Sequence, residues 1–129
     1  MLRAGILNPQ INSLLSRVRH TNTLVIADRG FPNWPQIETV DISLVNNIPR
    51  VLDVFRAVQA NFVIGKIVMA EEFRRVNDEE TVHTFEQCFA DSEVTFEPHD
   101  RLKQRVPLAI GLIRTGESLQ YANMIVESA

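Results

Sequence analysis

Three histidines, a few isolated carboxylates and a small set of hydroxyl and carboxamide groups are the chemistry that this 129-residue chain offers. His20 lies in the short break, His20 to Asn22, between an amphipathic stretch and an apolar run. An imidazole there can give or take a proton near neutral pH with little tuning. It could equally cap the preceding helix, because a cation favours a helix C-terminus. Spacing alone leaves both roles open. Asp28 closes the apolar run at its C-terminal end, where α/β sheets hold ligands, or else its side chain initiates the following turn. His99 and Lys103 stand four apart and share one face of an expected short helix. Lys103 is one of only two lysines in a chain that otherwise uses arginine, although a solvated helix face would look the same. Tyr121 and Asn123 are two apart on an expected strand, hence on one face of a sheet. Phenol beside carboxamide offers donors and acceptors suited to sugar hydroxyls, and a polar outer face is the competing reading.

Other chemistries are excluded. The chain has no glycine-rich phosphate loop, no nucleophile elbow and no paired-histidine zinc motif. Its single cysteine, Cys88, rules out an intrachain disulfide and a cysteine-built zinc site. Beside Phe85 and Phe89, Cys88 reads as a buried structural thiol. His83, mid-helix next to Val82, reads as a surface or structural residue, and Glu71-Glu72 with Arg74-Arg75 as a solvated, self-paired segment. A net charge of −3 argues against nucleic acid or an anionic membrane as partner. Phe62 to Ala70, the longest apolar stretch, is interrupted by Lys66 and too short to span a bilayer. With no secretory signal pattern, the expectation is a soluble cytoplasmic protein.

The elements that must hold these residues follow from periodicity. A length of 129 residues with 45% hydrophobic and 22% charged side chains fits a single globular domain, residues 1–129. Asn8-Pro9 predicts a helix start, and Ile11, Leu14, Leu15 and Val18 give it one apolar face over about three turns. Thr23 to Ala27 is a short apolar strand of the kind covered on both faces. Asp28 to Pro35 is a stiff loop carrying Trp34. A strand is expected over residues 37–42, a helix opened by Pro49 with Val51, Val54, Phe55 and Val58 inward, and a central strand from Phe62 to Ala70. Glu71 to Arg75 suits a helical turn, and Asp78 starts a helix with Val82, Phe85 and Phe89 inward. Then come a strand at Val94 to Phe96, a helix from Asp100 to Val106, a strand from Leu108 to Ile113, a turn at Thr115 to Glu117 and a last strand around Tyr121 to Val126. Strands alternating with helices predict an α/β domain in three layers. Its sheet would have about six strands, largely parallel or mixed, with helices on both faces.

In their order along the chain these residues resemble the D-ribose pyranase and L-fucose mutarotase family. The likeness begins in Gly5 to Pro32, with its Leu-Asn start, His-Thr, Thr-Leu and Asp-x-Gly-x-Pro. It continues through Ile48-Pro49, Ala70-Glu71-Glu72, His99 with Lys103, and Arg114-Thr115-Gly116-Glu117 followed by Tyr121-Ala122-Asn123. It is closer to the ribose pyranase branch. The resemblance implies a cofactor-free isomerase that interconverts ring forms of a reducing monosaccharide. It implies His20 as proton donor and Asp28, His99, Lys103, Tyr121 and Asn123 as the residues that hold the sugar. It further implies a homo-oligomer, a pentamer or decamer, with sites at subunit boundaries. A non-catalytic sugar-binding module is the alternative. Arg19 and Arg29 replace small residues of the family pattern and Trp34 enlarges a loop, which raises the expectation of a larger or anionic sugar derivative.

Overall fold

A computed structural model describes every residue from Met1 to Ala129. Six strands form one sheet in the order β2-β5-β1-β6-β3-β4. They are β1 (Thr23–Ala27), β2 (Glu38–Asp41), β3 (Ile64–Ala70), β4 (Glu93–Glu97), β5 (Gly111–Arg114) and β6 (Met124–Ser128). The helices are α1 (Pro9–Ser16), α2 (Val51–Asn61), α3 (Glu71–Val76), α4 (Glu79–Phe89) and α5 (His99–Arg105). β1 pairs parallel with β5, β5 with β2, and β3 with β4, whereas β6 runs antiparallel between β1 and β3. The sheet is therefore mixed, and the reversed strand sits at its centre.

Both faces are covered. Leu24, Ile26, Ile67, Met69, Ile113 and Val126 pack against one layer that includes Leu14 of α1, Phe55 of α2, Phe73 of α3 and Phe85 and Phe89 of α4. The alternate residues Val25, Ala27, Val68, Leu112 and Ile125 face Leu102 of α5, Val106 and Phe31. This alternation is the period of two that a strand imposes, and burial of both sets explains the near-continuous apolar runs. The three-layer α/β arrangement expected from the sequence is the one observed.

Several boundaries move, each for a local reason. α1 stops at Ser16, two turns after Asn8 accepts from the Ile11 N–H, and Val18 is buried beyond the helix. Pro49 precedes α2, whose N-terminal cap is Arg50, and α2 runs to Asn61, so β3 begins at Ile64. The expected strand from Leu108 to Ile113 starts only at Gly111, because Val106–Leu108 continue α5 as a 3₁₀ turn containing Pro107. The last strand starts at Met124, which leaves Tyr121 and Asn123 in the connection before it. Cys88 is not fully buried: it flanks the inward Phe85–Phe89 line, with Sγ 3.3 Å from Arg56 Nη2. His83 is exposed, as its sequence position suggested.

The mixed topology decides where polar groups gather. β1, β3 and β4 all end on one side of the sheet, and the loop after β1, α3 after β3 and α5 after β4 begin there. Because β6 is antiparallel, its start lies on that same side, with Met124 opposite Ile26 and Met69. The far end of β6 returns to the start of β1, with Glu127 opposite Thr23.

Candidate active site

At the C-terminal end of β1 an open cleft of about 310 Å³ is lined by Asp28, Phe31, His99, Gln120, Tyr121 and Asn123, with Gly30 and Pro32 at its edge. Its volume lies at the low end of small-molecule sites, which span about 300–1,000 Å³. A larger depression of about 540 Å³ between α3 and α4, lined by Arg74, Glu79, Glu80, His83 and Glu86, is a solvated charged surface lying apart from these groups.

Asp28 and Asn123 are locked together. Asn123 Oδ1 accepts from the Asp28 N–H at 2.7 Å, and its Nδ2 donates to Asp28 Oδ2 at 3.1 Å. Asp28 Oδ1 also accepts from the Gly30 N–H at 3.0 Å. The carboxylate thus does both things its sequence position allowed: it shapes the turn and faces the cleft. Burial pushes the Asp28 carboxyl above its ordinary range, against the opposing hydrogen bonds from Gly30 and Asn123. Asn123 is almost fully buried, so its amide is a fixed part of the floor.

His99 opens α5, and its ring meets Tyr121 edge-on with centroids 5.0 Å apart and Phe31 at 6.2 Å. Burial first, and then the Lys103 cation one turn on, push its imidazole below the ordinary range, while Glu72 opposes them. Lys103 does not line the cleft itself. Glu72 is more than part of a solvated charged segment: it accepts from the His99 N–H with both oxygens, at 3.0 and 3.2 Å. This carboxylate satisfies the open N-terminus of α5 and so orients His99. Nothing in the spacing reveals it, because the two residues lie on different βα units brought together only by the β3–β4 pairing.

Tyr121 reaches the cleft by a route the sequence did not show. It is not on a strand and shares no strand face with Asn123; it sits in a turn at φ 59°. A left-handed bulky residue costs about 1–3 kcal/mol and persists only where its surroundings hold it. Asn77 Nδ2 supplies part of that hold, donating to Gln120 O at 3.0 Å and to Phe73 O at 2.9 Å. Gln120, next to Tyr121, and Phe31, inside the Asp-x-Gly-x-Pro stretch, also line the cleft, and neither residue type signals it in the sequence.

His20 lies elsewhere. It is exposed in the turn before β1, at the opposite end of that strand from Asp28, and its imidazole makes no hydrogen bond within the chain. The last carbonyls of α1 are met instead by Arg17, whose Nε donates to Ser13 O at 3.2 Å, and by Arg19, whose Nη1 donates to Ser16 O. Neither Arg19 nor Arg29 lines the cleft, and Trp34 packs on Phe31, with centroids 6.2 Å apart, without lining it.

Comparison with known proteins gives the family. A D-ribose pyranase of Geobacillus thermodenitrificans is 37% identical over 128 residues, 99% of this chain and 96% of the relative. A D-ribose pyranase of Geobacillus kaustophilus is 38% identical over a similar span, 99% of this chain and 93% of the relative. The structure of Bacillus subtilis RbsD complexed with D-ribose superposes with a TM-score of 0.92 at 29% identity, covering 100% of this chain and 98% of that one. A Streptococcus pneumoniae fucose mutarotase complexed with L-fucose shares the fold at TM-score 0.79 and 17% identity, covering 99% of this chain and 98% of that one. With a family model matched across residues 1–129, the chain belongs to the RbsD / FucU transport protein family.

Proposed function

We propose that this protein interconverts the ring forms of a neutral reducing monosaccharide, D-ribose first among them, by acid–base ring opening. The observation that carries this reading is the full-length match to a ribose-complexed structure, in a chain whose cleft offers donors and acceptors of a sugar-binding kind. Opening a cyclic hemiacetal needs one proton delivered to the ring oxygen and one removed from the anomeric hydroxyl. The open aldehyde recloses through another hydroxyl to change ring size, or through the same one on its other face to change anomer. Positioned acid–base groups contribute about 10²–10⁴-fold to such steps.

In this reading His20 exchanges the proton, and Asp28, His99, Tyr121 and Asn123 orient the hydroxyls. Lys103 acts from behind His99, helping to keep its imidazole neutral. A neutral sugar fits better than a phosphorylated one: the cleft holds the Asp28 carboxylate and no lysine or arginine.

One chain does not bring the parts together. His20 and Asp28 flank the five residues of β1, about 16 Å of strand at roughly 3.3 Å per residue. A monosaccharide is shorter than that. In this reading a second copy supplies His20 to the cleft, in the ring of five or ten subunits that the family resemblance implies. The exposed Leu2, Leu7, Leu44, Val45 and Ile48 provide apolar surface for association. No helix is long and apolar enough to cross a membrane, and we place the protein in the cytoplasm, where reducing sugars are metabolised.

Magnetisation-transfer NMR on D-ribose tests the proposal. Exchange between pyranose and furanose signals should rise in proportion to added protein. Binding without exchange would make the chain a sugar-binding module, and neither would remove ribose as its ligand.

A further inference from the structure

Resting on the reading of His20 as the proton-transfer group, we propose that Asn22 is a positioning residue that aims the His20 imidazole by clamping a strained turn. The Arg19 carbonyl accepts from the Asn22 N–H at 2.9 Å, which closes a four-residue turn with His20 and Thr21 at its centre. Thr21 has φ 65°. A turn with a left-handed third residue takes glycine or asparagine there, and a β-branched side chain is the least suited to it. Such a conformation lasts only where neighbours over-determine it.

Asn22 supplies most of that determination. Its Oδ1 accepts from the Arg19 N–H at 2.9 Å, so side chain and backbone close the turn from both directions. Its carbonyl accepts from the Ser128 N–H at 2.9 Å, and Ser128 O accepts from the Thr21 N–H at 2.9 Å, which ties the turn to the end of β6. Thr21 Oγ1 donates to His20 O at 2.7 Å. These bonds hold the backbone on both sides of His20, whose exposed imidazole makes no hydrogen bond within the chain. Releasing the Asn22 side chain removes the one side-chain bond that closes the turn onto Arg19, which leaves the strained Thr21 held by main-chain bonds alone and loosens the direction of the His20 Cα–Cβ bond. An acid 1 Å out of place costs rate without weakening a sugar held by other residues.

The test compares wild type, Asn22→Ala, Asn22→Asp and His20→Ala in the assembled protein. Ribose exchange kinetics are measured together with the ring ¹³C signal of labelled histidine, assigned by its loss in His20→Ala. Asn22→Ala should lower kcat about tenfold with KM within about twofold, and should shift or broaden the His20 signal. Asn22→Asp keeps the acceptor for Arg19 and should restore kcat to within about threefold. Thr21→Gly, which accepts the turn without strain but loosens it, should lower kcat at least threefold in a folded protein, and it serves where Asn22→Ala fails to assemble. Wild-type kcat and an unmoved His20 signal in these variants would overturn the proposal. Full exchange in His20→Ala would instead overturn the assignment of His20, and the ring signal would still decide whether Asn22 aims it.

Discussion

Three residues carry most of what can be tested one side chain at a time. His20 is exposed and makes no contact that the fold needs, so His20→Ala should leave the circular dichroism spectrum unchanged. Ribose ring exchange should fall by about 10²–10⁴-fold if it is the proton-transfer group. Asp28 and His99 are perturbed in opposite senses, and both favour their neutral forms in the fold. Burial raises the Asp28 carboxyl above 3.8, so between that value and its folded one the native state binds more protons than the unfolded chain. Its contribution to stability is therefore lost as pH rises through that window. The His99 imidazole lies below 6.5, so under that pH the unfolded chain binds more protons, and stability is lost as pH falls from 6.5 towards the folded value. Urea titrations from pH 4 to 8 should show that Asp28→Asn gains relative to wild type as pH rises. His99→Gln should lose part of the acid-side decline. A flat difference across the range would remove these groups from the linkage.

At the level of elements, the segment after β5 acts as a tie between the loops around the sheet edge and α2. Glu117 is 1% exposed; its Oε1 accepts from Arg50 Nη1 and the Leu119 N–H, and its Oε2 from the Val51 N–H at the start of α2. Its carbonyl accepts from the Arg29 N–H at 3.0 Å, in the loop beside the cleft. Glu117→Ala strips a helix N-terminus of its carboxylate and leaves buried donors unpaired, so it should cost about 2–3 kcal/mol in chemical denaturation. Gly116 stands against backbone: an added Cβ would meet Val45 O and lie 2.9 Å from Ile48 O. Gly116→Ala should cost a similar amount, about 1–3 kcal/mol, by displacing the 45–48 loop. Unchanged stability in Glu117→Ala would mean that solvent replaces its partners.

The whole molecule sets the last requirement, because the candidate acid and the cleft lie at opposite ends of β1. Mixing His20→Ala and Asp28→Ala chains after dissociation, then reassembling them, should restore a fraction of the exchange that each lacks alone. Recovery arises where an intact His20 meets an intact Asp28 across a boundary. No recovery despite mass-spectrometric proof of mixed rings would place the whole site within one chain. Dilution below the assembly threshold should likewise abolish exchange while leaving each domain folded.

The sequence alone determined the order of the elements and the functional groups the chain can offer. Val25 and Ile26 in β1, and Ile67 to Met69 in β3, are apolar because both sheet faces are covered, and that burial is written locally as hydrophobic runs. His20, Asp28, His99 and Asn123 could be named from residue type and position. Their spacing also puts His20 and Asp28 at opposite ends of one strand, but the gathering of Asp28, His99 and Asn123 into one cleft could not be read. That followed from β6 running antiparallel through the sheet centre, which carries Asn123 to Asp28 at one end and Ser128 to the His20 turn at the other. Periodicity reports how each residue is buried but not the direction in which its strand pairs. Tyr121 is placed by the fold and not by its pattern: Ala122 to Val126 are buried without a break, so periodicity does not mark where the turn ends and the strand begins. Its left-handed backbone, like that of Thr21, is imposed by partners distant in the chain, and only the folded structure brings those partners into reach.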